Sequence, residues 1–140
     1  MSDATDLRIA VNALNRELRG HRGPSGLTQT QFVLLGYLDR AGPATPAQLA
    51  EYFKVKGQSL TLSVNVLTER GLVSRRQDEV DRRRQFVELT DAGARLVEQD
   101  RLARDEWLDA AMADRLSDLE RGVLRLAVPV LLALAGDVGA

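Results

Sequence analysis

Apolar residues return at helical spacing through most of this chain, and polar breaks divide the pattern. Leu7, Ala10, Val11, Leu14 and Leu18 fall three or four residues apart, which predicts a first helix over about residues 5–19. Gly20-His21-Arg22-Gly23-Pro24-Ser25-Gly26 reads as a loop by its glycine and proline content. Thr28-Gln29-Thr30-Gln31 has the form of a capping box, and Phe32, Leu34, Leu35 and Leu38 behind it form one apolar face. After Ala41-Gly42-Pro43-Ala44, Thr45-Pro46-Ala47-Gln48 opens a short helix of about residues 46–53. Lys54-Val55-Lys56-Gly57 reads as a turn. The next helix starts near Gln58, buries Leu60, Val64 and Leu67, and stops at Gly71, the expected left-handed residue past its end.

The period then changes. Leu72–Arg76 and Arg84–Leu89 read as two short strands, and the charged run between them as the tip of a hairpin. Thr90 caps a long helix to about Ala113, with Leu96, Ala103, Trp107 and Leu108 among its apolar positions. Ser117-Asp118-Leu119-Glu120 is a third capping box, and the last helix contains Pro129, which is expected to kink or locally open it. The fold class expected is mainly α with a small β-hairpin wing: a winged helix-turn-helix with N- and C-terminal dimerisation helices. At 140 residues the chain reads as a single domain, 1–140. About 28–90 would be the winged-helix part, and about 1–20 and 91–140 the dimerisation helices.

Charge sharpens this picture more than composition does. The overall charge is −1, but residues 51–86 hold eight basic against five acidic side chains, while residues 87–140 hold six arginines against eleven acids. A basic middle and an acidic C-terminal part suit a module that touches DNA on one face only. The absence of cysteine excludes disulfides, thiol redox sensing and thiolate-based metal sites or nucleophiles. His21, the only histidine, is read as a solvated linker residue. With no nucleophile–base pair, metal cluster or phosphate-cradling glycine loop, neither an enzyme nor a cofactor is expected, and the catalytic and metal sites are none. No apolar run is long enough for a membrane span or resembles a signal peptide, so a cytoplasmic location is expected.

Two segments hold the candidate chemistry. On the helix after the turn, Gln58, Ser59, Thr61, Ser63 and Asn65 remain for the outer surface. Their small polar groups suit base edges and phosphates in a major groove, and the outward Leu62 and Val66 suit thymine methyls. On the hairpin, Asp81 stands two residues before Arg83 and is expected to hold its guanidinium extended for a minor groove. Arg82 and Arg84 read as backbone clamps, with Arg75 and Arg76 beside them. Leu7, Val11, Leu14, Leu18, Val123, Leu124, Ala127, Val130, Leu131 and Leu134 exceed what one winged-helix core can bury, which points to a second copy of the chain.

Gly57–Arg75, followed by Asp81-Arg82-Arg83 and by Leu89-Thr90-Asp91-Ala92-Gly93, resembles the MarR family of bacterial transcription regulators. The resemblance spans nearly the whole chain, and its most specific part is the D-x-R wing followed by L-T-x-x-G. It implies a homodimeric repressor on a pseudo-palindromic double-stranded DNA operator. It makes Asp81 and Arg83 the wing pair, and Gln58, Ser59, Thr61 and Ser63 the start of the recognition helix. It also implies a pocket for a small organic effector, for which Arg16, Tyr37 and Trp107 are the candidates. The chain departs from the family at Leu62 and Val66, where many relatives are basic. The alternative reading is a winged-helix protein-interaction module without DNA binding.

Overall fold

The computed structural model describes residues 2–23 and 25–136. Pro24 of the expected loop, and Met1 and residues 137–140 of the expected terminal segments, lie outside the described residues. The order is α1 (Asp3–Gly20), α2 (Gln29–Ala41), α3 (Pro46–Phe53), α4 (Gly57–Glu69), β1 (Val73–Gln77), β2 (Gln85–Leu89), α5 (Asp91–Arg115) and α6 (Asp118–Leu134). Six helices with one antiparallel hairpin among the described residues match the expected class. The chain forms two compact units, Arg22–Leu102 and the residues on either side of it. The first unit therefore extends past Thr90 through the first three turns of α5.

Local chemistry explains the boundaries of Arg22–Leu102. Thr28 Oγ1 accepts from the Gln31 amide at 3.2 Å while Gln31 Oε1 accepts from the Thr28 amide at 2.9 Å. Thr45 and Gln48 repeat both bonds at the same distances. Each box satisfies two amides that the helix start leaves without partners. Lys54 takes the left-handed conformation, at φ 54°, and Gly57 is already the first residue of α4. Gly71 adopts φ 71° past the end of α4, as its type allows.

The core of this unit is closed. Leu34 and Leu35 from α2, Leu49 from α3, Val64 and Leu67 from α4 and Val73 and Val87 from the strands are all essentially inaccessible. The hairpin register pairs Val73 with Leu89 and Arg76 with Phe86. A feature the sequence pattern did not suggest is a one-residue third strand. Ala44, from the Gly-Pro break before α3, exchanges two backbone hydrogen bonds with Val87, at 2.8 and 3.1 Å.

The L-T-x-x-G segment locks the wing to α5. Thr90 Oγ1 donates to the Gly71 carbonyl at 2.6 Å and accepts from the Gly93 amide at 3.1 Å. The Thr90 amide donates to Leu72 O at 3.1 Å. A Cβ on Gly93 would lie 2.1 Å from Leu72 O, so glycine is required by the closeness of the two backbones.

In the other unit, Ser2 caps α1 and the Ser117–Glu120 box opens α6. The helix α6 continues through Pro129. No described residue of α1 or α6 is buried.

Candidate nucleic-acid interface

The helix-turn-helix is α3, its turn and α4. Leu60, Val64 and Leu67 point inward from α4, and the intervening positions are left on the surface. Gln58, Ser59, Thr61, Leu62 and Asn65 are exposed and Ser63 is half-buried. All six expected recognition residues therefore share the outer side of one helix. Two already have partners. The Thr61 hydroxyl donates to the Gly57 carbonyl at 2.8 Å, and Asn65 Oδ1 accepts from Arg75 Nη2. The second bond joins α4 to β1, so Asn65 and Arg75 act as a pair that ties the helix to the base of the wing.

At the wing tip, Asp81 departs from its expected role. Its Oδ1 accepts from the backbone amide of Arg83 at 3.1 Å and does not hold the guanidinium. Asp78 Oδ1 takes the Val80 amide in the same way at 3.0 Å. These are Asx turns, the local bond that lets a short acidic side chain stand in for a turn of backbone. Asp81 thus shapes the loop that presents Arg83 and leaves the guanidinium itself unguided. Asp78 N to Arg84 O at 2.9 Å and Arg84 N to Asp81 O at 3.0 Å complete the tip. Gln77 Nε2 adds a bond to Arg82 O at 3.0 Å.

The arginines differ in how they are held. Arg76 and Arg84 both lie against the Phe86 ring, at 5.3 and 5.5 Å from its centroid, and Arg76 Nε is 3.5 Å from the Glu88 carboxylate. Cation–π contact of this kind favours an ordered guanidinium. Among the described residues, Arg82 and Arg83 are bonded through their backbones only. Phe86 was not among the sequence candidates. The signal for it was the hairpin register, which sets it directly opposite Arg76. Together with Thr45, Pro46, Ala47 and Gln85, residues Arg82–Arg84 line a cleft of about 380 Å³ beside the start of α3.

Of the three effector-pocket candidates, Arg16 and Trp107 belong to the terminal unit and Tyr37 to Arg22–Leu102. Arg16 is exposed on α1. Trp107 is stacked on His21 at 4.5 Å, with Arg115 5.9 Å from its centroid. That contact makes His21 the partner of an aromatic ring and not a plain linker residue. Tyr37 belongs to Arg22–Leu102, where it packs on Tyr52 at 4.3 Å and Phe53 at 5.6 Å. In the same unit, Asp100 is buried on α5 with Arg22 Nε 3.9 Å from its carboxylate and the Arg22 guanidinium over Phe32 at 4.7 Å. No helix among the described residues is long and apolar enough to cross a membrane.

Comparison with known proteins agrees with this geometry. The MarR family model matches residues 25–84, from the segment before α2 through the wing tip. An HTH-type transcriptional regulator of Mycobacterium tuberculosis is 36% identical over 137 residues, covering 96% of this chain and 93% of the relative. The chain belongs to the MarR family. This MarR-family member is accordingly a helix-turn-helix transcription regulator and not an enzyme. A crystallised transcriptional regulator protein from Pseudomonas aeruginosa is 34% identical with a TM-score of 0.86, covering 95% of this chain and 94% of that one. A crystallised mutant of MarR from E. coli shares the fold, with a TM-score of 0.81 at 24% identity over 94% of this chain and 97% of that one.

Proposed function

We propose that this MarR-family chain is a cytoplasmic, homodimeric repressor that binds a pseudo-palindromic DNA operator and releases it in response to a small organic effector. The observation that most supports DNA binding is the company kept by α4. Between Lys54 and Thr68 there is no acidic residue, and the wing beside this segment presents Arg75, Arg76, Arg82, Arg83 and Arg84. A helix inserted in a major groove with arginines reaching the flanking phosphates or minor groove uses both features at once. In this reading Gln58, Ser59, Leu62 and Ser63 face the bases, Arg83 enters the minor groove, and Arg76, Arg82 and Arg84 clamp the backbone. Two-fold symmetry would space the half-sites about one helical turn apart. Arg16, Tyr37 and Trp107 remain the candidates for effector contact.

Purified protein titrated onto its own upstream DNA at several salt concentrations tests the reading. Arg83→Ala is expected to weaken binding on all sequences and to reduce the salt slope by about one, since each phosphate contact contributes about 0.9. Unchanged affinity and slope in that variant would remove the wing from the mechanism. No retardation at low salt would favour a protein-interaction module.

A further inference from the structure

Two of the expected recognition residues on α4 are committed within the protein. Thr61 has spent its one hydroxyl proton on the Gly57 carbonyl. Asn65 has its carbonyl oxygen on Arg75, which closes off the bidentate amide pairing that reads adenine, since that pairing needs both the oxygen and the nitrogen. The most exposed apolar side chain of the helix is Leu62, at 68%, and Val66, one turn on, is 38% exposed on the same face. Leu62 stands as a ridge between two apolar hollows. One, of about 620 Å³, is lined by Ala50, Leu60 and Thr61 among others, and the other, of about 350 Å³, by Val55, Ser59 and Val66 among others. Lys54 and Lys56 lie just before α4, Arg75 is bonded to Asn65 on it, and Arg82–Arg84 share a cleft with Pro46 and Ala47, which also line the larger hollow, so the neighbourhood of the ridge is positively charged. That charge suits a nucleic-acid occupant, and an apolar ridge flanked by hollows suits the only apolar group that a base pair displays in the major groove.

From this juxtaposition we infer that Leu62, supported by Val66, is the specificity-determining reader of the recognition helix, and that what it reads is the 5-methyl group of thymine. The inference rests on the DNA-binding reading and deepens it. Sequence choice then depends chiefly on apolar contact, and Gln58, Ser59 and Ser63 add hydrogen bonds at its edges.

Selection from a pool of randomised duplexes would supply the tightest-bound sequence. That duplex would then be synthesised with deoxyuridine in place of thymidine, one position at a time, which removes the methyl and nothing else. At one or more thymines in each half-site the wild-type protein is expected to lose roughly four-fold in affinity per methyl, the equilibrium equivalent of burying one such group. Leu62→Ala is expected to bind thymine and uracil duplexes equally while keeping the wild-type thermal midpoint and helix content. A wild-type protein indifferent to every uracil substitution, a selected sequence without thymine, or a Leu62→Ala protein that still discriminates would overturn the inference while leaving DNA binding intact. A pool that yields no bound duplex at all would remove the DNA-binding reading, and this inference with it.

Discussion

The two compact units of this chain solve the burial problem in opposite ways. Every buried apolar residue described lies between Phe32 and Val97, where three helices, a hairpin and the start of α5 close around one another. The terminal helices bury nothing of their own, and α6 leaves Leu126 76% exposed along with Val123, Val130 and Leu134. A surface helix normally turns such a stripe onto a core. The winged unit is therefore sufficient for its own packing, while the terminal unit presents apolar surface of the kind that marks an interaction site. In the proposed function the difference separates two jobs, one unit presenting the DNA-facing groups and the other joining copies of the chain.

Breaking the terminal unit is expected to have the largest effect. Leu126→Glu with Val130→Glu places two carboxylates one helical turn apart on the exposed face of α6. Sedimentation should report a monomer, and operator affinity should fall by about 10²–10⁴-fold, the advantage that linking two binding modules confers. The winged unit should keep its helix content, because none of its core residues is touched. A wild-type chain that sediments as a monomer would remove the comparison at its root. Leu49→Ala probes the other side. Leu49 is fully buried in α3, so truncation should cost about 2–5 kcal/mol in denaturant unfolding. A cost near zero would mean that the winged core is not the source of this unit's stability.

The two units were not equally legible from sequence. The three capping boxes, the inward triplet Leu60, Val64 and Leu67 and the left-handed Gly71 depend on neighbours within one helix or turn, and the pattern exposes them directly. What escaped depends on contacts across the fold. Ala44 pairs with Val87 some forty residues on, and Asp100 is buried on a helix that its spacing marks as mixed. The left-handed Lys54 escaped for another reason, since a lysine carries no sequence signal for a conformation that glycine adopts at least cost. In the site, the exposed row of α4 followed from periodicity. The bonds that tie Asn65 to Arg75 and Asp81 to a backbone amide could not, because residue spacing shows where a side chain is carried and not which partner it takes.

The Asn65–Arg75 bond allows a finer cut within the winged unit. If it orders Arg75 for DNA, Asn65→Ala should weaken operator binding by about 1 kcal/mol, the worth of one hydrogen bond, or roughly five-fold. In an Arg75→Ala background the same change should do almost nothing, and that non-additivity is the decisive reading of the double-mutant cycle. Additive losses would show that Asn65 touches DNA on its own account.

The smallest effect returns to the contrast between units through their capping boxes. Gln31 and Gln48 close the two boxes of the winged unit with neutral amides, whereas Glu120 closes the box of α6 with a carboxylate. The Ser117 amide, and then its hydroxyl, hold the Glu120 carboxyl below the usual range. A carboxyl so lowered stabilises the folded chain at every pH above its unfolded value of about 4.3, and the contribution is lost as pH falls through the lower folded value. Acid should therefore weaken the start of α6 while the boxes of α2 and α3 are indifferent to it. Because Glu120 is exposed, the change in thermal midpoint should be small and best read as a difference. Glu120→Gln keeps an acceptor for the Ser117 amide but cannot titrate. The wild type should exceed it in stability near neutral pH, where a charge at the helix N-terminus also helps, and the margin should close in acid. Parallel pH profiles for the two proteins would show that the α6 box draws nothing from its charge.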